Sequence, residues 1–429
     1  MKLAIFTSHF PGRINTFFAR DVRGLIDAGV DVEIFATHPL DPQFWMYVPE
    51  VLSESVLPRT KVHHLAGLTS VARAALWPRT WSQAPAMAAV AGSATAYGPV
   101  PVLKTAYLIP KAMSWARDYG SRFDHVLAYW GNYPATCAYL FHRAAGREIP
   151  FSMFLHAGTD LYRDRIYLGQ KMTYADNIFV VCAFNRDFLK STYPSDFDQI
   201  SPKIRVHHLG LDLDAVKWDR SGRRPNLIVA AGGLHPGKGF DDLLRAVGEL
   251  RRRGREVETE IVGDGPERPA LEALTERLGL TTAVRFLGWL SPESALDVVR
   301  RATLLVHPSI GLGDAVPTVI KEAMAVGTPV IASSIAGIPE LLDAGRCGVL
   351  TPPRDPVALS EAMERLLDAP EQRDHLARLA RQRAEQMFDQ RRNGTALANH
   401  LRTTRRRRSL TEPATDLATS PDQYRGNRV

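Results

Sequence analysis

Four side chains in this sequence stand where parallel α/β proteins keep their chemistry: His156, Lys238, Asp314 and Glu322. Asp314 and Glu322 lie eight residues apart in GLGDAVPTVIKEAMAVGTPV, residues 311–330, with Pro317 and Thr318 between them. Pro317 is expected at the first helical position, Gly327 at the C-terminal cap, and Pro329 bars further helix. Val319, Ala323 and Val326 would then pack inward. Glu322 lies among apolar neighbours in KEAMAV. A carboxylate there is costly unless hydroxyls or cations meet it, and a ribose diol or sugar hydroxyls would do so. The free backbone N–H groups around Pro317 to Val319 could hold a phosphate. Two surface acids are the plain alternative.

Lys238 sits in AAGGLHPGKGF, residues 230–240, between a strand and a helix. Gly232, Gly233 and Gly237 let the backbone turn its N–H groups toward an anion, and the helix N-terminus and the lysine add positive charge. The alternative is a plain turn with a solvated lysine. The spacing from Gly232 to Lys238 matches most of an ATP-type P-loop, but Gly239 stands where that loop needs Ser or Thr for Mg²⁺. A nucleotide hydrolase is therefore disfavoured. Gly263, Asp264 and Gly265 form a tight turn, and Pro266 suits a helix start. A capped turn would account for them equally. Trp289 follows a strand and could wall a base or sugar pocket, or simply pack. Ser291 and Pro292 read as an N-cap and N1 pair.

His156 closes a strand in FLHAGTDLYRDR, with Asp160 and Asp164 after it. Such a histidine can act as a base or hydrogen-bond a substrate; a structural histidine is the alternative. The sequence has no HExxH, and the pairs His63-His64 and His207-His208 lack ligand spacing, so no metal is expected.

The elements that must position these residues alternate between short β-rich runs and helical stretches, the pattern of parallel sheets with crossover helices. KLAIFTS, VDVEIFA, DHVLAYW, FSMFL and NIFVVC read as strands of the first half, with a helix over 14–28 closing at Gly29. NLIVAAG, VETEIVG, AVRFLG, TLLVHPS and PVIAS read as strands of the second. Residues 66–104 are expected to be the least regular part, and a polar linker is expected near 212–225. The fold class is α/β with two doubly wound Rossmann-like domains, over 1–215 and 216–387. Residues 404–429, few of them apolar, are expected to be a disordered basic tail.

Apolar residues are 45% and charged residues 23% of the 429, as in a soluble globular protein. The net charge is +7, and residues 401–429 hold seven Arg against three acids, a net of +4 that leaves +3 for the rest. That is too little to argue for nucleic acid as a partner. Cys137, Cys182 and Cys347 are far apart, which suits buried, reduced thiols. MKLAIFTSHFPG reads as a strand rather than a signal peptide, and no run is long and apolar enough to span a bilayer. A cytoplasmic protein is expected, at most peripheral to an anionic membrane. The candidates for that contact are the Trp/Arg stretch 73–81 and the Arg405–Arg408 run.

Taken together, LIVAAGGLHPGKGFDDLLRAV, VGDGPERPALE, VRFLGWLSPES and AMAVGTPVIASSIAGIPELL resemble the retaining glycosyltransferases of family 4, of GT-B fold. FPGRINTFFARDVRGLIDAGVDVEIFA, FSMFLHAGTDLY, FNRDFL and HHLGLDLD resemble the acceptor-side half of that family, especially its bacterial exopolysaccharide and colanic-acid type members. The likeness covers residues 1 to about 403. It implies that the first domain binds an acceptor and the second a nucleotide-sugar, with the last helix, 388–403, packing back on the first domain. It implies Lys238 on the donor diphosphate, Glu322 on the ribose, Asp314 facing the sugar and His156 near it, with these four as the catalytic set. Gly232, Gly233, Gly237, Gly263, Asp264, Gly265, Trp289, Val316, Pro317 and Thr318 complete the implied donor site, and Arg13, Asn15, Asn132 and Asp160 are the implied acceptor-side residues. The expected activity is transfer of a sugar, with retention, to a saccharide or lipid-linked saccharide, without metal or other cofactor. The alternatives are a degenerate nucleotide-sugar-binding or partner protein, and a GT-B epimerase. In two places the chain departs from the family's usual pattern. Gly233 stands where an arginine is common, and Asp314 where Glu is usual.

Overall fold

The computed structural model describes residues 1–10, 16–38, 60–64, 67–146, 148–163 and 165–406. Arg13, Asn15 and Asp164 lie outside them, as do residues 407–429 of the expected tail. The chain folds as two compact units, Met1–Leu209 with Arg391–Val429, and Gly210–Gln390.

The first unit is built on a parallel sheet of β1 (Lys2–Thr7), β2 (Asp31–Ala36), β3 (Lys61–His63), β4 (His125–Ala128), β5 (Phe151–Leu155), β6 (Asn177–Val180) and β7 (Ile204–Val206). Their order is β3-β2-β1-β4-β5-β6-β7. The central strands are buried throughout, which is why they read as apolar runs rather than alternating ones. β3 and β7 were not legible as strands. Each has three residues and none fully buried beyond Ile204, so neither carries an apolar run.

Residues 68–119, expected in large part to be irregular, are helical: Leu68–Ala75, Pro78–Ser82, Ala84–Thr95 and Pro99–Tyr119. Pro78, Pro85 and Pro99 stand in first turns, where a missing N–H costs nothing, so they start helices rather than break them. The helix Gln390–Thr403 lays Leu397, Ala398 and Leu401 into the first unit's core beside Leu3, Ile5 and Phe18. It comes close at two glycines; a Cβ on Gly394 would lie 2.6 Å from Gly24 Cα. Thr404 to Arg406 continue against this unit. Arg406 donates to Asp176 at 3.1 Å and stacks over Tyr174.

The second unit is built on β8 (Leu227–Ala231), β9 (Glu258–Val262), β10 (Val284–Gly288), β11 (Leu304–His307), β12 (Val330–Ser333) and β13 (Val349–Thr351), all parallel, in the order β10-β9-β8-β11-β12-β13. Strand order reverses between β8 and β11, which opens a crevice at their carboxyl ends. Two apolar layers, one around Ile320, Met324 and Leu341 and one around Leu243, Leu250 and Met363, cover the two faces of this sheet. Among the described residues no helix is long and apolar enough to cross a membrane. The three cysteines are free and buried, and burial pushes the Cys137 thiol up to about 12.

Candidate functional site

In the second unit the loops after β8 and β11 are joined along their backbones. The carbonyl of Gly237 accepts from Ile310 N and Gly311 N, both at 3.0 Å, and from Ser309 Oγ at 2.9 Å. Pro236–Lys238 form one turn of 3-10 helix, and Gly239 leaves it at φ +64° before the helix Phe240–Arg252. A Cβ on Gly239 would stand 2.1 Å from Pro308 O, so only glycine fits. The hydroxyl residue that an ATP-type loop needs is therefore excluded by packing as well as by sequence.

This joint brings Lys238 onto Asp314. Lys238 Nζ donates to Asp314 Oδ2 at 2.7 Å, and His307 Nε2 contacts the same oxygen at 2.6 Å. Burial works against the charge on Asp314, but His307 and Lys238 together hold its carboxyl well below the usual carboxylate range. His307 is buried at the carboxyl end of β11. The sequence reading missed it, because TLLVH registers first as a strand. The available signal was a polar residue closing a strand at the point where the order reverses.

The helix carrying Glu322 runs from Thr318 to Val326. Pro317 is its N-cap, with extended backbone, rather than its first helical residue, and no side chain caps that end. Gly327 closes it at φ +81°. Glu322 is half-buried, as are Val316 and Thr318.

Gly263 and Gly265 serve backbone packing. A Cβ on Gly263 would lie 2.0 Å from Gly232 O, and one on Gly265 2.5 Å from Leu234 O. Asp264 accepts from Gly265 N at 2.8 Å and from Arg268 at 3.2 Å, so its carboxylate is tied into the turn. The helix here starts at Arg268 rather than at Pro266. Trp289 is 45% exposed and so is not buried in the core. Gly233 has room for a side chain only if the exposed His235 ring moves, since a Cβ would lie 3.0 Å from it.

In the first unit, strand order reverses between β1 and β4, and the loops after β4 and β5 meet. Asp160, fully buried, accepts from the amides of His156 (2.9 Å), Ala157 (3.0 Å) and Gly131 (3.3 Å). Burial raises its carboxyl to about 6. Its oxygens face backbone, so it shapes the loops rather than facing an acceptor. Lys171, also buried, donates to the carbonyls of Gly131 and Asn132 at 2.7 and 3.1 Å. Asn132 precedes the helix Tyr133–Ala145 and is 7% exposed. A π-helical turn, Thr159–Arg163, follows His156, a form frequent at functional sites.

His156 Nε2 donates to the carbonyl of Tyr129 at 2.9 Å. Burial lowers the imidazole to about 4, so it is neutral near pH 7 and presents a bare Nδ1. That atom is buried and has no partner among the described residues. The same holds for the indole N–H of Trp130, whose ring lies 4.4 Å from the imidazole. An unpartnered acceptor and an unpartnered donor on neighbouring rings are the two complements of a hydroxyl group, which can donate to the first and accept from the second. Trp130 was also missed, hidden at the end of DHVLAYW.

Among the described residues no cluster of three or more His, Cys, Asp or Glu side chains could hold a metal ion. The two sheets, each doubly wound with its loops of interest at carboxyl ends, define the GT-B fold. Sucrose-phosphate synthase from Thermosynechococcus elongatus matches 94% of this chain and 98% of its own at 20% identity and a TM-score of 0.71. HepE of Anabaena, solved with UDP and glucose, matches 94% and 99% at 18% identity and 0.65. These likenesses concern the fold.

Residues 225–369, which hold the joined loops, match the family model for group 1 glycosyl transferases. Over 189 residues the chain is 34% identical to alpha-D-kanosaminyltransferase of Streptomyces kanamyceticus, covering 41% of this chain and 48% of that protein. Over 216 residues it is 32% identical to D-inositol 3-phosphate glycosyltransferase of Streptomyces scabiei, covering 46% and 47%. The chain spans about half the length of these relatives.

Proposed function

We propose that this protein is a glycosyltransferase that moves a sugar, with retention, from a nucleotide-sugar to a saccharide acceptor. The acceptor is lipid-linked, and the setting is exopolysaccharide or glycoconjugate biosynthesis in the cytoplasm. The observation that carries the reading is the Lys238–Asp314–His307 cluster at the β8/β11 switch point, where open parallel sheets bind ligands. The named transferases among the relatives and the UDP in a structural neighbour support it.

In this reading the bond between the sugar's anomeric carbon and the diphosphate oxygen breaks, and an acceptor oxygen takes that carbon. Lys238 and the N-terminus of the helix at Thr318 oppose charge on the leaving diphosphate, as fixed donors do best in a dry site. The diphosphate would compete with Asp314 for the Lys238 ammonium and so release the carboxylate toward the sugar. Glu322 takes the ribose hydroxyls. His156 and Trp130 take a sugar hydroxyl in the first unit. No step calls for a metal or other cofactor.

The test is a thermal-shift screen of UDP-, GDP-, ADP- and dTDP-sugars, followed by nucleotide release and the anomeric configuration of the product by NMR. One donor should raise Tm, and Lys238→Ala and Glu322→Ala should abolish the rise. A protein that binds a donor but releases no nucleotide with any acceptor would be the degenerate binding form instead.

We also propose peripheral contact with an anionic membrane through the helical stretch near Arg73. Leu68, Leu76, Trp81 and Leu103 are 89, 84, 66 and 69% exposed there. These four exposed apolar side chains, in or beside helices that pack on one another, are the basis of the proposal. Co-sedimentation with phosphatidylglycerol vesicles should be lost in a Leu68→Ser, Leu76→Ser, Trp81→Ser variant.

A further inference from the structure

Three arginines converge on a cavity of about 200 Å³ in the second unit, at the end of the sheet opposite Lys238. Its lining is Arg220, Arg223, Pro225, Thr303, Pro329 and Arg373. Pro225 lies just before β8, Thr303 directly before β11 and Pro329 directly before β12. Since these strands are parallel, the cavity lies at their amino ends, and the Lys238–Asp314 loops lie at their carboxyl ends. A ligand here is not the donor of the proposed reaction.

The charged residues that line the cavity are all arginines, and the carboxylates that act on them, Asp219, Asp368 and Asp374, lie outside the lining. Arg220 pairs with Asp374. Arg223 donates to the carbonyls of Ala302 (2.6 Å) and Val326 (3.4 Å) and to Thr328 Oγ1 (2.9 Å), and no carboxylate bonds to it. Among the described residues the Arg373 guanidinium donates to the carbonyls of Leu366 and Leu367, at 2.5 and 2.6 Å. The Nε atoms of Arg220 and Arg223 are buried with no partner among the described residues. Burial, and then the neighbouring Arg220, lower the Arg223 guanidinium to about 10. Asp219 stands near but is bonded to Ser221. Three guanidinium groups face one space, and of these acids only Asp374 bonds to any of them, so an anion in the cavity would relieve their repulsion. Guanidinium forks match phosphate oxygens in geometry and charge. The volume is below the roughly 300–1,000 Å³ of sites for larger ligands, which limits the occupant to one phosphate group and little else.

We propose that this cavity is a phosphate-binding site, filled by inorganic phosphate or by the phosphate of a monoester or lipid headgroup. The inference stands apart from the transfer reaction and does not need it. Its test uses the full chain carrying Lys238→Ala, which removes the cation of the carboxyl-end loops, and the Arg220 comparison below separates any phosphate still held there. Inorganic phosphate and glycerol 3-phosphate are titrated by calorimetry, and phosphatidic acid vesicles by co-sedimentation.

Saturable binding in at least one arm is expected. Adding Arg220→Gln should weaken it about tenfold, the worth of one charged hydrogen bond. Arg220 is the arginine to change, because Arg223 and Arg373 hold backbone carbonyls. Asp374→Asn removes the competing carboxylate and should tighten binding. Opposite effects of these two changes cannot come from misfolding. Failure of all three arms, or equal binding with and without Arg220, would overturn the proposal.

Discussion

At the residue scale the site turns on one oxygen. Asp314 Oδ2 receives both Lys238 and His307, at 2.7 and 2.6 Å. A glutamate in its place would move the carboxylate by roughly 1 Å, which is enough to lose a positioned contact. Asp314→Glu is therefore expected to lower kcat by about tenfold or more, while Asp314→Asn, which removes the charge, should lower it by about a hundredfold. Steady-state kinetics with the donor found by the thermal screen would decide. An Asp314→Glu enzyme faster than the parent would show that the short side chain is a handicap rather than a fit. Gly233→Arg asks the reverse question: a second cation beside Lys238 should tighten nucleoside diphosphate binding several-fold, provided His235 rotates away. Calorimetry of the diphosphate reads it directly. In the first unit, Trp130→Phe keeps an aromatic ring but deletes the unpartnered N–H together with part of the indole. One neutral hydrogen bond is worth about 1 kcal/mol, so the KM of one of the two sugar substrates should rise about fivefold with kcat little changed. An unchanged KM for both substrates would remove Trp130 from the site.

At the element scale, the carboxyl-end loops work because backbone meets backbone. Gly239 is a tight joint in the second unit's site, and Gly254 is its control. Both have positive φ, +64° and +81°, but a Cβ on Gly254 meets nothing within 4 Å. Gly254→Ala should cost only the left-handed penalty of about 1–2 kcal/mol. Gly239→Ala should cost more and should also detach Lys238 from Asp314, weakening donor binding. Urea unfolding of both variants measures the difference, and equal losses would mean that the loops yield easily. What could be read in the sequence follows the same physics. Central strands such as Leu227–Ala231 are buried on both faces and spell themselves out as apolar runs. The loop glycines were visible because their neighbours are strands. The helix Ala84–Thr95 was not, since its alanines carry little periodicity and its proline is informative only once the helix start is known. His307 and Trp130 were hidden for another reason. Each ends an apolar run, and its partner comes from elsewhere in the fold, Asp314 seven residues on for one and His156 from the next strand for the other.

At the scale of the whole molecule, the two units should respond differently to acid. The first unit buries histidines in neutral form. Burial lowers His38, His142 and His156 to about 4 and His125 to about 3. In the unfolded chain such groups titrate near 6.5. Between these values the unfolded state binds protons that the folded state does not, so stability is lost as pH falls from about 6.5 toward 4. Asp160 opposes this. Its folded carboxyl, raised to about 6, keeps a proton that the unfolded chain releases down to about pH 4, which adds stability as pH falls. His64 and His400, also lowered by burial, act in the same direction as the four histidines. Those four against Asp160 leave an uptake of about three protons on unfolding near pH 5. That is a slope of roughly 4 kcal/mol per pH unit, set against a total stability of about 5–15 kcal/mol. The second unit has the contrary case in Asp314, whose depressed carboxyl contributes stability above its unfolded value near 4 and loses it only as pH falls below that. Scanning calorimetry at pH 7, 6, 5 and 4.5 should therefore show one transition falling steeply and the other nearly still. Hydrogen exchange should assign the falling one to Met1–Leu209. A shift equal in both units, or proton uptake below one per molecule at pH 5, would mean that the histidines are reached by water before the first unit unfolds.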